Sequence, residues 1–496
     1  MGGYLKAGNQ ILKNTGFVFA SGIASKVFSF LFIVYAARIL GTGNFGIFAL
    51  IGAVTFLLSY FGNFGISQMA IREIARNKTR AEELFNHIFS LRLCLVILAY
   101  PILVFVVNLL GYGQEVKNLI YIAGFSTIFS TFSSSFRILY IAFEKFKVPS
   151  LILIIVSFLS SISNIVVLFL GYGLKGVVWI SFFGSLLGAI ISGIWIRKRF
   201  TKYRLVFNIS IWKDLISQSI PFAILSFFQQ ANRYMNIFFL SKLPGTIPEE
   251  LAMGYYSSSS SICQAALIVP SSFRLAALPT VASNEENLKL IENIIMSSTK
   301  SLLLFVIFPM TLATTFFPRE IISIVFGDEY LPAVSALTIL GWAYAFQIFN
   351  APVSVTLSAS KEIRRFIPWA TLGLCINLIL AIPLIIYYSF VGAAIAFLVS
   401  RIFETVLRNY LLRTIWKIKR LKAREYTREV IIMAIVFSIL ILAYINSVGS
   451  VMLLILTMTL YFISVFSFKD FRQMIFAFIG TKGQSIFGAG KADEEL

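Results

Sequence analysis

Apolar runs of about twenty residues recur along this chain, broken only by short polar or basic segments, and no other feature restricts its fold so tightly. Wound as an α-helix, a run of that length crosses a hydrocarbon layer roughly 30 Å thick. Inside such a layer no water satisfies the backbone, so only helices and closed barrels can span it. The runs are about twice the length of a barrel strand and do not alternate in polarity, which leaves helices. A window of about 19 residues moved along the sequence predicts about fourteen spans. The first two cover 16–37 and 45–65, the seventh and eighth 216–240 and 253–278, the eleventh and twelfth 367–388 and 391–411, and the last pair 430–448 and 451–468. Composition agrees, with 58% of residues hydrophobic, 13% charged and a mean hydropathy of +0.86. Soluble domains lie nearer half apolar and a quarter charged. The sequence therefore predicts an all-α, polytopic membrane protein.

The formal net charge is +20. Lys and Arg in short loops resist translocation, and here they fall mostly in alternate loops, which places both termini in the cytoplasm and the chain in the cell membrane. The largest basic clusters follow the sixth span (Arg197, Lys198, Arg199, Lys202, Arg204) and the twelfth (Arg413, Lys417, Lys419, Arg420, Lys422, Arg424, Arg428). Beside membrane helices such clusters set topology and meet anionic lipid headgroups, so no nucleic-acid partner is implied. The start of the chain, with Lys6 and Lys13 ahead of an apolar run too long for a signal-peptide core, is read as a retained first helix. Residues 480–496 are polar and glycine-containing and are expected to form a disordered cytoplasmic tail.

Cys94, Cys263 and Cys375 lie far apart in apolar runs, and His87 is the one histidine, so neither a disulfide framework nor a His–Cys metal site is expected. No GxxxxGK[ST] pattern marks a nucleotide site. No cofactor is implied, and with short external loops there is no extramembrane domain to house an enzyme's active site.

Charged residues inside a bilayer cost at least about 2.5 kcal/mol each by insertion scales, and each needs a reason. Here they are lopsided: Lys26, Arg92, Arg137, Arg233, Arg274, Arg401 and Arg408 stand against one acid, Glu404. Lys26 and Arg233 lie too deep in their spans to reach water easily. They lead a candidate site for an anionic headgroup that also takes in Arg92, Arg274 and Arg401. Snorkelling explains Arg92, Arg137 and Arg274 almost as well. Arg401, Glu404 and Arg408 fall on one helical face and favour a structural ion pair. The seventh and eighth spans are unusually polar, with Gln229, Gln230, Asn232 and Asn236 ahead of Tyr255, Tyr256, the serines 257–261 and Gln264. Small hydroxyls also serve helix packing; with the amides and Arg233 added, these residues are expected to line a hydrated, sugar-contacting cavity. A phosphate or pyrophosphate is the natural ligand for cations so placed.

A weak internal repeat links the halves. Lys26 precedes Gly46, and Arg233 precedes Gly254, by nearly the same interval, and each glycine stands among aromatics (Phe45 and Phe48; Tyr255 and Tyr256). An even number of spans separates the copies, so they should be related by an axis along the membrane normal.

The stretch Ala37-Arg38-Ile39-Leu40-Gly41, then Asn44-Phe45-Gly46-Ile47-Phe48-Ala49-Leu50, with Gly65-Ile66-Ser67 and Ile71-Arg72-Glu73-Ile74-Ala75-Arg76 beyond it, resembles the polysaccharide biosynthesis protein family, the Wzx-type flippases of lipid-linked oligosaccharides. That family belongs to the multidrug, oligosaccharidyl-lipid and polysaccharide (MOP) exporter superfamily. The resemblance implies two six-helix lobes, residues 1–213 and 214–425, two further helices in 426–479, and rocking between inward-open and outward-open states. It implies a substrate built as a polyprenyl (pyro)phosphate carrying a glycan, membrane lipids as surroundings, glycosyltransferases or a glycan polymerase of the same pathway as partners, and a monomer. Cation-coupled exporters of the superfamily carry acids in the first or seventh span, which this chain lacks, so a drug or metabolite antiporter is the weaker alternative. An integral membrane glycosyltransferase is weaker still, because the external acids form no Asp-x-Asp arrangement.

Overall fold

The computed structural model describes residues 2–416 except 77, 144–146, 200–203, 272, 274–276, 278–280, 282–286 and 360–366, together with part of 431–461. Most of the last two expected spans and the tail at 480–496 lie outside the described residues. Regular structure among the described residues is entirely helical. The N-terminal half contains α1 (Gly2–Asn63), α2 (Ile66–Arg76), α3 (Ala81–Leu109), α4 (Gln114–Ala142), α5 (Lys147–Phe169) and α6 (Gly173–Arg199). The C-terminal half contains α7 (Ile209–Leu240), α8 (Glu249–Ala265), α9 (Leu288–Leu302), α10 (Phe308–Phe316), α11 (Pro318–Phe326), α12 (Val334–Phe349), α13 (Ala351–Ala359) and α14 (Ile367–Trp416). A π-helical turn, Leu303–Ile307, joins α9 to α10.

Two of these helices are folded-back pairs. Gly41 interrupts α1 with φ 72° and ψ 172°, a conformation open to glycine and strained for other residues. Phe32 and Phe48 meet edge to face at 5.8 Å, whereas one straight helix would hold them about 24 Å apart. The first and second expected spans are therefore the two arms of α1. Likewise α14 breaks at Ser389, and a Cβ on Gly373 would come within 2.7 Å of the Glu404 side chain, residues that a straight helix would separate by about 46 Å. Its arms are the eleventh and twelfth expected spans. By length and hydropathy alone, eight helical segments among the described residues qualify as membrane spans, two of them containing these hairpins. The expected count of about fourteen is thus not reached by that measure, because paired arms merge, the last spans are largely outside it, and the polar helices α7 and α8 are not among the eight.

The repeat glycines meet where α1 crosses α8. A methyl group at Gly46 would overlap the carbonyl oxygen of Glu250, and one at Gly254 would overlap that of Thr42. Each glycine thus sits against the carbonyl one turn before the other, the reciprocity that a two-fold axis through the crossing demands. Small residues at this point let two backbones touch and gain close van der Waals packing in place of a hydrophobic drive that lipid does not supply. Gly46→Ala or Gly254→Ala is expected to lower stability in detergent by about 1–3 kcal/mol through overpacking. Gly52→Ala, at a helical position with open space around it, should be neutral or stabilising. Thermal unfolding of the purified variants checks both.

A large apolar core runs through both halves, from Ala36, Phe45 and Leu58 on α1 to Tyr330, Leu340 and Phe397. A second lies in the N-terminal half, among α2, α3 and α4, and takes in Leu215 of α7. The segment ahead of α7 is tied to that half, since Arg204 N–H donates to Asn86 Oδ1 (3.0 Å) and Val206 N–H to Ser90 Oγ (2.9 Å). The expected division at 213/214 falls inside α7, whose first turns pack with the N-terminal half and whose later turns pack with the C-terminal half.

Candidate functional site

The mid-span cations are sorted by where their helices turn them. Lys26, on the first arm of α1, is exposed, and its Nζ donates to Ser271 Oγ at 3.2 Å. Ser271 follows α8, so this bond crosses between the halves. On the other side of the same arm, Ser25 and Ser157 share a hydrogen bond of 2.5 Å and Phe28 meets Phe158 of α5 at 5.2 Å. Lys26 therefore occupies an edge of the seam where an ammonium group is reachable, rather than a packed interior.

Arg92 goes elsewhere. It is 3% exposed and lies within the N-terminal half, donating to Ser135 Oγ (2.9 Å), Ser134 Oγ (3.0 Å) and the Gly62 carbonyl (3.4 Å). Gly62 lies in the last turn of α1, where a cation complements the free carbonyls. The structure does not bring Arg92 together with Lys26.

Arg401 and Arg408 clamp Glu404 inside the C-terminal half, at 2.8 Å and 3.6 Å. The second carboxylate oxygen accepts from Asn232 Nδ2 (3.3 Å), and Asn232 Oδ1 accepts from Asn377 Nδ2 (3.1 Å). Arg408 reaches on to Ser354 and to the Asn350 carbonyl, and Asn350 donates to Thr405. The network ties α7, both arms of α14 and the α12–α13 turn together. The Arg401 guanidinium also lies 4.6 Å from the Phe397 ring. The structural ion pair read from the sequence is present, and Asn232 belongs to it.

The polar residues of the seventh and eighth spans mostly pack. Asn236 Nδ2 donates to Tyr256 Oη (2.9 Å), and both residues are buried. Ser259 donates to the Ala333 carbonyl, Ser260 pairs with Tyr344, and Gln264 donates to Ser260. Ser257 to Ser260 are all buried. Tyr255 is half-buried beside Phe390, with 5.3 Å between centroids. In this conformation these side chains hold helices together, as small hydroxyls and amides do in other membrane bundles. Gln230 is exposed. The side chains of Gln229 and Arg233 lie outside the described part of the structure, as does Arg274 altogether.

Tyr234 faces the other half. It stacks on Phe56 of α1, centroids 4.5 Å apart and planes 18° apart, while Tyr60 lies 5.0 Å from Phe227 and its hydroxyl donates to the Ala223 carbonyl at 3.0 Å. Below these rings Gly65 abuts the backbone of Ser219 to Ala223. At the opposite end of the seam, Arg38 and Thr42 of α1 contact the segment from Ile324 to Glu329. Sequence reasoning missed both closures. The signals available were Ile322 and Phe326, which at i and i+4 mark one apolar face of α11, and Ile66, Met69, Ala70 and Ile74 at helical spacing on α2.

The family model described as "Polysaccharide biosynthesis protein" matches residues 11–285. A Shigella dysenteriae protein described as an O-antigen transporter is 25% identical over 414 residues, covering 79% of this chain and 97% of that one. Among solved structures, the lipid II flippase MurJ in an inward closed conformation superposes with a TM-score of 0.71 at 18% identity, over 93% of this chain and 99% of that one. An inward-facing multidrug resistance MATE transporter of the MOP superfamily gives 0.64 at 15% identity, over 79% and 96%. At these identities the two structures show a shared fold.

Proposed function

The chain belongs to the polysaccharide biosynthesis protein family, and from that premise we propose that it carries a polyprenyl-(pyro)phosphate-linked oligosaccharide from the cytoplasmic to the external leaflet by alternating access. The observation that carries this reading is Lys26: an exposed ammonium on a span, at the edge of the seam between the halves. A phosphate group entering there gains charge-assisted bonds to the ammonium. The polyprenyl tail stays in lipid beside α1 while the sugars occupy the seam, with Arg233 and Gln230 of α7 as further contacts. Arg92 and Arg401 act as structural cations in this scheme, because their guanidinium groups already hold protein partners.

Alternate basic loops put the Gly41 end outside and both termini in the cytoplasm of a cell-membrane protein. Moving a negative headgroup outward down a negative-inside potential then releases about 2.3 kcal/mol per charge per 100 mV, which supplies a direction without a nucleotide. A proton or cation antiporter needs an available intramembrane carboxylate. Glu404, the one acid within the spans, is held between two guanidinium groups. The test is reconstitution: purified protein in liposomes should move a fluorescent lipid-linked oligosaccharide between leaflets. Absence of that activity alongside extrusion of cationic drugs would favour the antiporter.

A further inference from the structure

We infer that Arg38, Glu329 and Lys242 form a polar latch that holds the two halves together at the Gly41 end, and that this latch opens in every transport cycle. The latch itself stands on the contacts; its opening rests on the flippase reading.

The break at Gly41 exposes the first N–H groups of the second arm of α1, which have no partner within their own helix. Glu329, from the other half, supplies one: its carboxylate accepts from the Thr42 N–H at 2.8 Å and from Thr42 Oγ1 at 2.9 Å. Negative charge thus meets the positive end of a helix across the seam. The exchange also runs the other way. Arg38 Nε donates to the Val325 carbonyl at 2.9 Å, and a second guanidinium nitrogen reaches the Ile324 carbonyl, both in the last turn of α11. Lys242, just beyond α7, donates to the carbonyl of Leu110, the residue that caps α3, at 2.5 Å. Its ammonium lies 3.5 Å from the centroid of Tyr112, whose hydroxyl pairs with Ser241 at 2.8 Å. Burial pulls the Lys242 ammonium below its usual range, and Glu249 opposes that shift.

Each half therefore lends a cation to a helix C-terminus in the other, from the ends of the first and seventh spans, the two that repeat in sequence. Arg38 and Glu329 are exposed, so water can replace each bond as the halves part. Just beneath, Gly46 and Gly254 touch through backbone alone and interlock no side chains there. Rings meet between the halves at both ends, Phe56 on Tyr234 and Tyr60 on Phe227 at the Gly65 end, and Phe45 with Phe326 and Tyr330 at the Gly41 end, where the Tyr330 hydroxyl also donates to the Ala37 carbonyl. At the Gly41 end the solvent-replaceable bonds of the latch are added to this buried contact, so they can be weakened without removing it.

The test uses full-length protein in nanodiscs, with Cys94, Cys263 and Cys375 replaced and spin labels at Asn44 and Ser335, exposed positions on α1 and α12 in opposite halves. Arg38→Ala with Glu329→Ala should raise the long-distance population about tenfold, the change expected on losing a charge-assisted bond, and Lys242→Ala should act in the same direction. Unchanged distance distributions in both variants overturn the latch. That measurement needs no transport, so it decides the latch even if the flippase reading fails. A disulfide between Thr42→Cys and Glu329→Cys, fully formed, should stop flipping and release it on reduction. Undiminished flipping with the bridge intact overturns obligatory opening.

Discussion

Lys26→Ala is expected to bring flipping of a fluorescent lipid-linked oligosaccharide in proteoliposomes close to the protein-free rate, with yield and monodispersity unchanged. The native ammonium is exposed and donates to Ser271 Oγ at 3.2 Å. The position is exposed, so the substitution should cost little in folding stability. The headgroup is what loses a partner. A hydrogen bond to a charged group is worth about 1.5–3 kcal/mol, and in low dielectric that difference slows transfer roughly ten- to hundredfold. Two further substitutions separate charge from geometry. Lys26→Gln can keep a bond to Ser271 yet should stay inactive, whereas Lys26→Arg should recover much of the rate. Recovery with Gln would assign Lys26 to interlobe packing alone. Arg233→Ala should reduce flipping in the same assay if this second mid-span cation also meets the headgroup, as proposed.

Glu404→Ala should be the most destabilising single change considered. It leaves the guanidinium groups of Arg401 and Arg408 side by side and removes the acceptor of Asn232. Breaking a buried ion pair from one side costs about 3–5 kcal/mol, because the remaining charge is still desolvated. A triple change, Arg401→Leu, Glu404→Leu and Arg408→Leu, removes all the charge together and should melt above the single variant. Thermal unfolding followed by size-exclusion in detergent reads the order. A Glu404→Ala protein as stable as the native one would mean that the network contributes nothing to holding α7 against α14.

How far the sequence reveals this molecule follows from which forces are local. Spans are legible because lipid imposes a length and a polarity on each segment independently. Gly41 could be placed between two spans, and Gly46 and Gly254 could be matched as a repeat, from spacing alone. That the two glycines touch each other depends on how whole helices dock, which no window reports. The serines from Ser257 to Ser260 illustrate the limit: a small hydroxyl suits a wet cavity and a dry helix contact equally well, and only the partner across the gap, Ala333 or Tyr344, decides. Arg92 is similar. Its depth was readable, but its partners on α4 and at the end of α1 are distant in sequence. The short helices α2 and α11 are below the length that lipid imposes on a span, although each carries a readable apolar face. Arg401, Glu404 and Arg408 were legible because their pairing is set by one helix's own period.

The most direct measurement compares headgroups. Native protein in liposomes is offered two fluorescent glycolipids with the same glycan and tail, one joined through a pyrophosphate and one through a neutral ether. If a cation at the seam draws the headgroup in, the pyrophosphate lipid should cross at least about tenfold faster, and an inside-negative potential should speed its outward movement alone. Equal rates for the two lipids, indifferent to potential, would contradict that role for Lys26.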